Sequence, residues 1–286
     1  MNLKELSSLG RDARGAARMP VLFVGHGNPL NAIEDNVFSR TWRDVGRALP
    51  PPAAILCISA HWETWGTEVT AMESPRTIHD FGGFPRELYQ AQYPAPGSRW
   101  LAGETVSTVT RSRIGLDLDW GLDHGCWSVL CRMFPEANVP VVQLSLDYTK
   151  PPADHYALAR ELAALRTKEV LILASGNIVH NLRAMVLPSG GDFNTPFALD
   201  WALEANELFK RLINAHDHDA LMRYQSLGSA VQLAVPTPEH YLPLLYALAL
   251  REQDDAISYF NDSPVAGSLT MTSLKIEPEQ AGPARP

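Results

Sequence analysis

Short, nearly unbroken apolar runs separated by amphipathic stretches leave this chain few folds to choose from. Val21–Val24 and Ala53–Ser59 are too short for core helices and lack polar alternation, so they read as strands buried at the centre of a sheet. Val139–Leu146 and Glu169–Ala174 repeat the pattern, Val231–Val235 reads as one more short apolar run, and Thr67–Met72 alternates as a strand beside them. Helical spacing is clearest over His155–Arg166, Phe197–Ala215 and Leu242–Leu250. Helices placed between strands are what crossover connections need, and the pattern predicts an α/β fold. Ala256–Phe260 and Ser268–Ile276 form a predicted hairpin across the turn residues Asn261–Gly267. No repeat, low-complexity block or linker divides the 286 residues, so a single domain is expected.

Two Pro/Gly-rich stretches, Asp80–Gly97 and Leu187–Pro196, are long for plain connections and suit the rim of an active site. Residues 1–18 carry charge but no apolar core of a signal peptide, and read as a flexible N-terminal extension. The tail 277–286, rich in Pro and charge, reads as disordered.

A formal net charge of -8 excludes a broad basic surface for nucleic acid. No apolar run approaches the roughly 20 residues that span a bilayer, so no membrane partner is expected. Cys57, Cys126 and Cys131 fit neither a redox pair nor a zinc ribbon and read as free thiols in a reducing compartment, with a cytoplasmic location by default.

Histidines supply the chemical signal. His26, His61, His180 and His240 each follow an apolar run, directly or after a short turn. Ligands bind outside the carboxyl ends of strands in open α/β sheets, so these four side chains are candidates for one shared metal site. His124, in Asp123-His124-Gly125-Cys126-Trp127, suits a substrate-facing acid or hydrogen-bond donor, and His79 a pocket mouth. His155, His216 and His218 sit on charged faces and read as solvated, with His216–Asp219 the end of a surface helix rather than a metal clip. There is no GxGxxG after a strand, no P-loop and no GxSxG elbow, which argues against nucleotide cradles and serine hydrolysis.

Six motifs in order, GHGNP (Gly25–Pro29), SAHW (Ser59–Trp62), HDFGGFP (His79–Pro85), DHGCW (Asp123–Trp127), GNIVHNL (Gly176–Leu182) and PTPEHYLPL (Pro236–Leu244), carry a resemblance. The chain from Met19 to Ile276 resembles the 4,5-DOPA extradiol dioxygenase-like family, within the class III extradiol ring-cleavage dioxygenases. That resemblance implies one domain over residues 19–276 with a mixed central sheet and helices on both faces. It implies one divalent metal per chain, Zn2+ or Fe2+, held by His26, His61 and His240. His180 is implied as a further ligand or as the acid/base, and His124 as the residue facing the substrate. The implied partners are a small-molecule catechol such as DOPA and O2, with the oligomeric state open. The sequence departs from relatives that bind iron with two histidines and a carboxylate: His240 stands in the third place, with Glu239 beside it, expected to point the other way. Arg86, Arg183 and Tyr241 are candidate contacts for a substrate carboxylate. The competing readings are a zinc-dependent hydrolase and a metal-bearing binding protein on the same scaffold.

Overall fold

In the computed structural model, residues 18–279 are described. The strands are β1 (Val21–Gly25), β2 (Ala54–Thr64), β3 (Thr67–Thr70), β4 (Ile114–Asp117), β5 (Val141–Asp147), β6 (Val170–Gly176), β7 (Asp255–Phe260), β8 (Pro264–Val265), β9 (Leu269–Thr270) and β10 (Ser273–Pro278). The helices are α1 (Val37–Ala48), α2 (Arg86–Gln90), α3 (Arg99–Thr108), α4 (His124–Met133), α5 (Pro152–Glu161), α6 (Asp200–Asn214), α7 (His218–Met222), α8 (Ser229–Ala234) and α9 (Leu242–Ala249).

Eight strands form one mixed sheet in the order β4-β3-β5-β2-β6-β1-β10-β7. Its centre is parallel, β5-β2-β6-β1, and these are the strands with no exposed residue over their apolar runs. Parallel strands buried on both faces need no polar alternation, which is why their sequences are continuous apolar runs. The flanks are antiparallel where β3 meets β5, where β10 meets β1 and where β7 meets β10.

Side chains that alternate along each strand feed two cores. Val21, Phe23, Leu56 and Ile58 face the layer built by α5, α6 and α9, where Leu158, Phe209 and Leu245 are buried. Leu22, Val24, Ile55 and Cys57 face the opposite layer, built by α1 and α4 with Trp42, Trp127 and Leu130. Helices thus cover both faces, as expected. No helix among the described residues is long and apolar enough to cross a membrane.

The apolar run Val231–Val235 lies in and just after α8, which buries Ala230, Val231 and Ala234; the run is too short for its spacing to separate strand from helix. Two expectations need correction. The terminal strands pair as predicted, yet β10 begins only at Ser273, because Pro264–Thr270 folds into the small β8–β9 hairpin. β10 also runs to Pro278, into the segment expected to be a disordered tail. The expected N-terminal extension, Arg18 excepted, lies outside the described residues, as does the tail beyond residue 279. Arg18 pairs with Asp254 and Asp255.

Candidate metal centre

Five imidazoles meet at the carboxyl ends of the central strands. His26 follows β1 directly, its backbone N–H donating to the Gly176 carbonyl at the end of β6 (3.1 Å). His61 lies within β2, where pairing with β5 jumps between Ile58 and Glu63, so that Ser59–Trp62 bulges out of register. A bulge re-aims a side chain, and here it turns His61 toward His26. His124 opens α4, capped by Asp123, whose side chain accepts from the Cys126 N–H. His180 follows β6 by a short turn, and His240 sits on the turn before α9. That turn packs so tightly on β6 that a Cβ at Gly176 would lie 2.2 Å from the His240 carbonyl.

The hydrogen bonds fix which ring nitrogens face inward. The Ser175 hydroxyl donates to the Gly125 carbonyl (2.6 Å), so its oxygen is left to accept from His26 Nδ1 (3.0 Å). His26 Nε2 then carries a lone pair into the site. Asp80 acts on two neighbouring rings by charge: Oδ2 lies 3.0 Å from His124 Nδ1 and 3.5 Å from His61 Nδ1, while Oδ1 accepts the His124 backbone N–H (2.9 Å). Glu239 Oε1 stands 3.3 Å from His240 Nδ1. Glu239 was expected to point away, but the segment is a turn rather than an extended strand, and both side chains reach the same side. An outer acceptor on the second ring nitrogen is the usual support of a metal-ligating imidazole.

Burial, followed by the neighbouring imidazoles, holds His26 and His240 well below the ordinary histidine range. Burial and the proximity of His124 push His61 down to about 3, against the pull of Asp80. Burial lowers His180 to about 4. Burial would raise the Asp80 carboxyl, but the hydrogen bond and charge of His124 bring it below its usual value. His26, His61, His180 and His240 are therefore neutral imidazoles at physiological pH, the form that coordinates cations.

His61 Nε2 lies 3.1 Å from His26 Nε2. Ligand atoms of His26, His61 and His124 all fall within 4.8 Å of one another, as do those of His180, Glu239 and His240, and either group is close enough to hold an ion. The ring centres of His26, His61 and His240 are 5.0, 5.2 and 4.9 Å apart, a nearly equilateral triangle. His124 is less symmetric, 3.8 Å from His61 and 5.6 Å from His26. His180 stacks on His240 with centroids 3.5 Å apart, and no side-chain hydrogen bond holds its ring among the described residues. These five rings line one cavity of about 410 Å³.

Residues 21–267 match the family model described as the catalytic LigB subunit of aromatic ring-opening dioxygenase. The chain belongs to the LigB family. The 4,5-DOPA dioxygenase extradiol of Escherichia coli strain K12 is 46% identical over 274 residues, covering 91% of this chain and 96% of that protein. The protein of that name from Beta vulgaris is 34% identical over 264 residues, covering 88% of this chain and 94% of the relative. A crystal structure of an uncharacterized Escherichia coli K12 protein superposes with a TM-score of 0.77 at 42% identity, covering 90% of this chain and 99% of that one. This LigB member is an extradiol ring-cleavage dioxygenase.

Several candidates fall outside the LigB cavity. His79 does not line its mouth: Nε2 bonds the Ala91 carbonyl (2.9 Å) and the ring packs edge-on against Trp127, while the adjacent Asp80 faces the cavity. Tyr241 is fully buried and donates to the Leu221 carbonyl, so it is no carboxylate contact. Arg86 and Arg183 are exposed and absent from the cavity wall. His155 is buried rather than solvated and shares a hydrogen bond with the Tyr246 hydroxyl (3.0 Å). His218 is half-buried against Tyr156, whereas His216 is exposed, and Asp217 caps α7 as a helix end should. The residues not singled out in the sequence were the acceptors Asp80, Asp123 and Ser175. Each lies within one to five residues of a motif histidine or ends a strand, which is where an outer acceptor has to be.

Proposed function

We propose that the chain is a metal-dependent dioxygenase that opens a catechol ring beside its diol, with both atoms of O2 entering the product. The broken C–C bond becomes an aldehyde on one side and a carboxylate on the other, which balances catechol plus O2. The proposed catalytic domain is residues 19–276, and the free thiols Cys57, Cys126 and Cys131 suit a cytoplasmic location.

The observation that carries the reading is the pair of facing nitrogens on His26 and His61. Ser175 and Asp80 favour protons on the two Nδ1 atoms, so two lone pairs confront one another at 3.1 Å. That arrangement is repulsive by itself and favourable around a cation. Two nitrogens each about 2.0–2.1 Å from one ion stand about 3 Å apart, and three rings bound in this way have centres about 5 Å apart. The triangle of His26, His61 and His240 meets the second condition, and we assign these three as the ligands. His124 has a ligand atom within reach of those of His26 and His61, but its ring lies only 3.8 Å from His61, which supports a role beside the ion rather than on it. Bound there, ferrous iron would supply the redox chemistry by which O2 reacts with an electron-rich ring; zinc suits the same nitrogens but lacks that chemistry.

The remaining groups handle the substrate's protons. His180, neutral and without a side-chain partner, takes a proton from a catechol hydroxyl. Its stacking on His240 sets it next to the ligand triangle, so it is either acid/base alone or a fourth ligand before substrate arrives. His124, with Nδ1 turned to Asp80, accepts a hydrogen bond from the other hydroxyl through Nε2. Phe81 stands edge-on to His124 with centroids 5.6 Å apart and closes that side against water.

The test is anaerobic loading with Fe(II), then a panel of catechols with oxygen uptake and product absorbance recorded together. One O2 consumed per catechol, with a yellow ring-opened product, is expected. Turnover by the zinc form without oxygen would replace this reading with a hydrolase.

A further inference from the structure

The large sheet ends at β4, which among the described residues pairs with β3 alone, in parallel register from Thr67↔Ile114 to Thr70↔Asp117. The Asp117 carbonyl accepts from the Ala71 N–H (2.8 Å), so this residue turns its backbone toward β3. Backbone groups alternate in direction along a strand, so Gly115 also faces β3, while the N–H and C=O of Ile114 and Leu116 point off the edge. Neither of these two residues has a backbone partner on that side among the described residues. Leu116 and Leu118 are 63% and 67% exposed. The edge is short, because Asp117 Oδ1 accepts from the N–H groups of Asp119 (3.0 Å) and Trp120 (2.7 Å) and bends the chain away.

The charges along this segment are opposite in sign on the two sides of Gly115. Arg111 and Arg113 precede it, and Asp117 and Asp119 follow it at matching spacings, in the run Arg111-Ser112-Arg113-Ile114-Gly115-Leu116-Asp117-Leu118-Asp119. Arg111 Nε meets Glu161 Oε1 at 3.0 Å, whereas the exposed Arg113 has no acidic partner among the described residues. Charges on an open edge ordinarily repel another strand. A second copy of this segment laid antiparallel reverses the order of its charges, so that arginine meets aspartate.

We propose that β4 is a self-association edge, where a second copy of this chain pairs antiparallel about a two-fold axis through Gly115 and joins the two sheets. Outward-facing residues must meet outward-facing ones, which puts the axis through a residue rather than between two. At Gly115 it sets Ile114 opposite Leu116 of the second copy, with their free N–H and C=O groups exchanging hydrogen bonds. Arg113 then stands opposite the second copy's Asp117, and Arg111 opposite its Asp119. These fall at the pairs without backbone bonds, where opposed side chains come closest. An axis at Arg113 or Asp117 would oppose like charges. One at Ile114 or Leu116 would leave an arginine and an aspartate of each copy unmatched. Leu116 also covers its exposed apolar surface against the second copy's Ile114. None of these residues lines the metal-site cavity, so the pairing is independent of the dioxygenase reading.

The experiment is sedimentation equilibrium of the full zinc-loaded chain from about 5 to about 200 μM, where a short edge is expected to give a dimer with Kd of about 10–100 μM. Arg113→Glu, which faces the second copy's Asp117, is expected to weaken it at least about tenfold. Leu116→Pro removes an outward N–H and leaves the bonds to β3 in place, and is expected to be monomeric. Gly115→Cys reads the register: its Cα atoms would face each other at about 4.5 Å, within disulfide range, and oxidised glutathione should link the two chains. The added Cβ meets only the flexible Glu68 side chain, 3.3 Å from Cγ. The unsubstituted chain, with Cys57 and Cys126 buried and Cys131 half-buried, should stay unlinked. A monomer at every concentration, a dimer that Arg113→Glu leaves unchanged, or linkage at Leu116→Cys in place of Gly115→Cys would overturn the inference.

Discussion

His26 Nε2 and His61 Nε2 face each other at 3.1 Å, although 35 residues separate them in sequence and each ring is oriented by a different acceptor, Ser175 for one and Asp80 for the other. Removing one of the two should therefore abolish metal retention. His61→Ala is expected to lose stoichiometric metal, whereas His180→Ala is expected to keep it and lose most turnover. Elemental analysis beside oxygen uptake checks both, and full metal occupancy in His61→Ala would show the ligand assignment to be wrong.

Asp80 serves two rings with one carboxylate, so its effect should exceed that of an ordinary surface acid. Asp80→Asn keeps the shape but weakens the acceptor for His61 and His124. Outer partners of metal-bound histidines are worth about 10–100-fold in metal affinity, and a loss of that size is expected in a chelator competition. An unchanged affinity would mean that the backbone alone orients these rings.

How much of this was legible beforehand depended on range. The central strands were readable because burial on both faces leaves an apolar signature in a few consecutive residues, as in Ala54–Ile58. His26 and His61 were readable because each closes such a run. Asp80 and Ser175 were not, since their role arises only when the loop after β3 and the end of β6 are brought beside β1 and β2. α8 was not assigned an element type, because five apolar residues do not distinguish a strand from a turn and a half of helix. The loop-to-helix setting of His124 is where α4 begins, whereas α1 was not predicted despite its cap at Asn36. His155 was taken for a surface residue from its charged neighbours, yet the face it occupies turns toward Tyr246.

Acid should destabilise the metal-free protein well before its carboxylates titrate. Unfolded histidines protonate near 6.5, while folded His180 and His61 resist protonation until about 4 and about 3. Below 6.5 the unfolded state binds more protons than the folded one, so stability falls with pH through that window and levels off beneath it. Urea midpoints for chelator-treated protein at pH 7.5 and pH 5 are expected to differ, with the acidic one lower. A flat profile would imply that the imidazoles are solvated in the metal-free state.

Away from the site, Arg166 and Asp255 form a fully buried pair, with Nη1 to Oδ2 at 2.6 Å and further bonds to the Met19 and Leu250 carbonyls. Arg166→Met leaves a buried carboxylate without its main partner and is expected to cost about 3–5 kcal/mol. Denaturant titration measures the loss, and metal content of the folded fraction should stay the same. A cost under about 1 kcal/mol would show that water or Arg18 takes over the pairing.

The most direct test is X-ray absorption on the protein loaded with one equivalent of Fe(II), repeated on His240→Ala. The account predicts a single ion with three imidazole nitrogens at about 2.0–2.2 Å, or four where His180 joins them, falling by one in the variant. An ion with fewer than three imidazole ligands, or a first shell unchanged by His240→Ala, would contradict it.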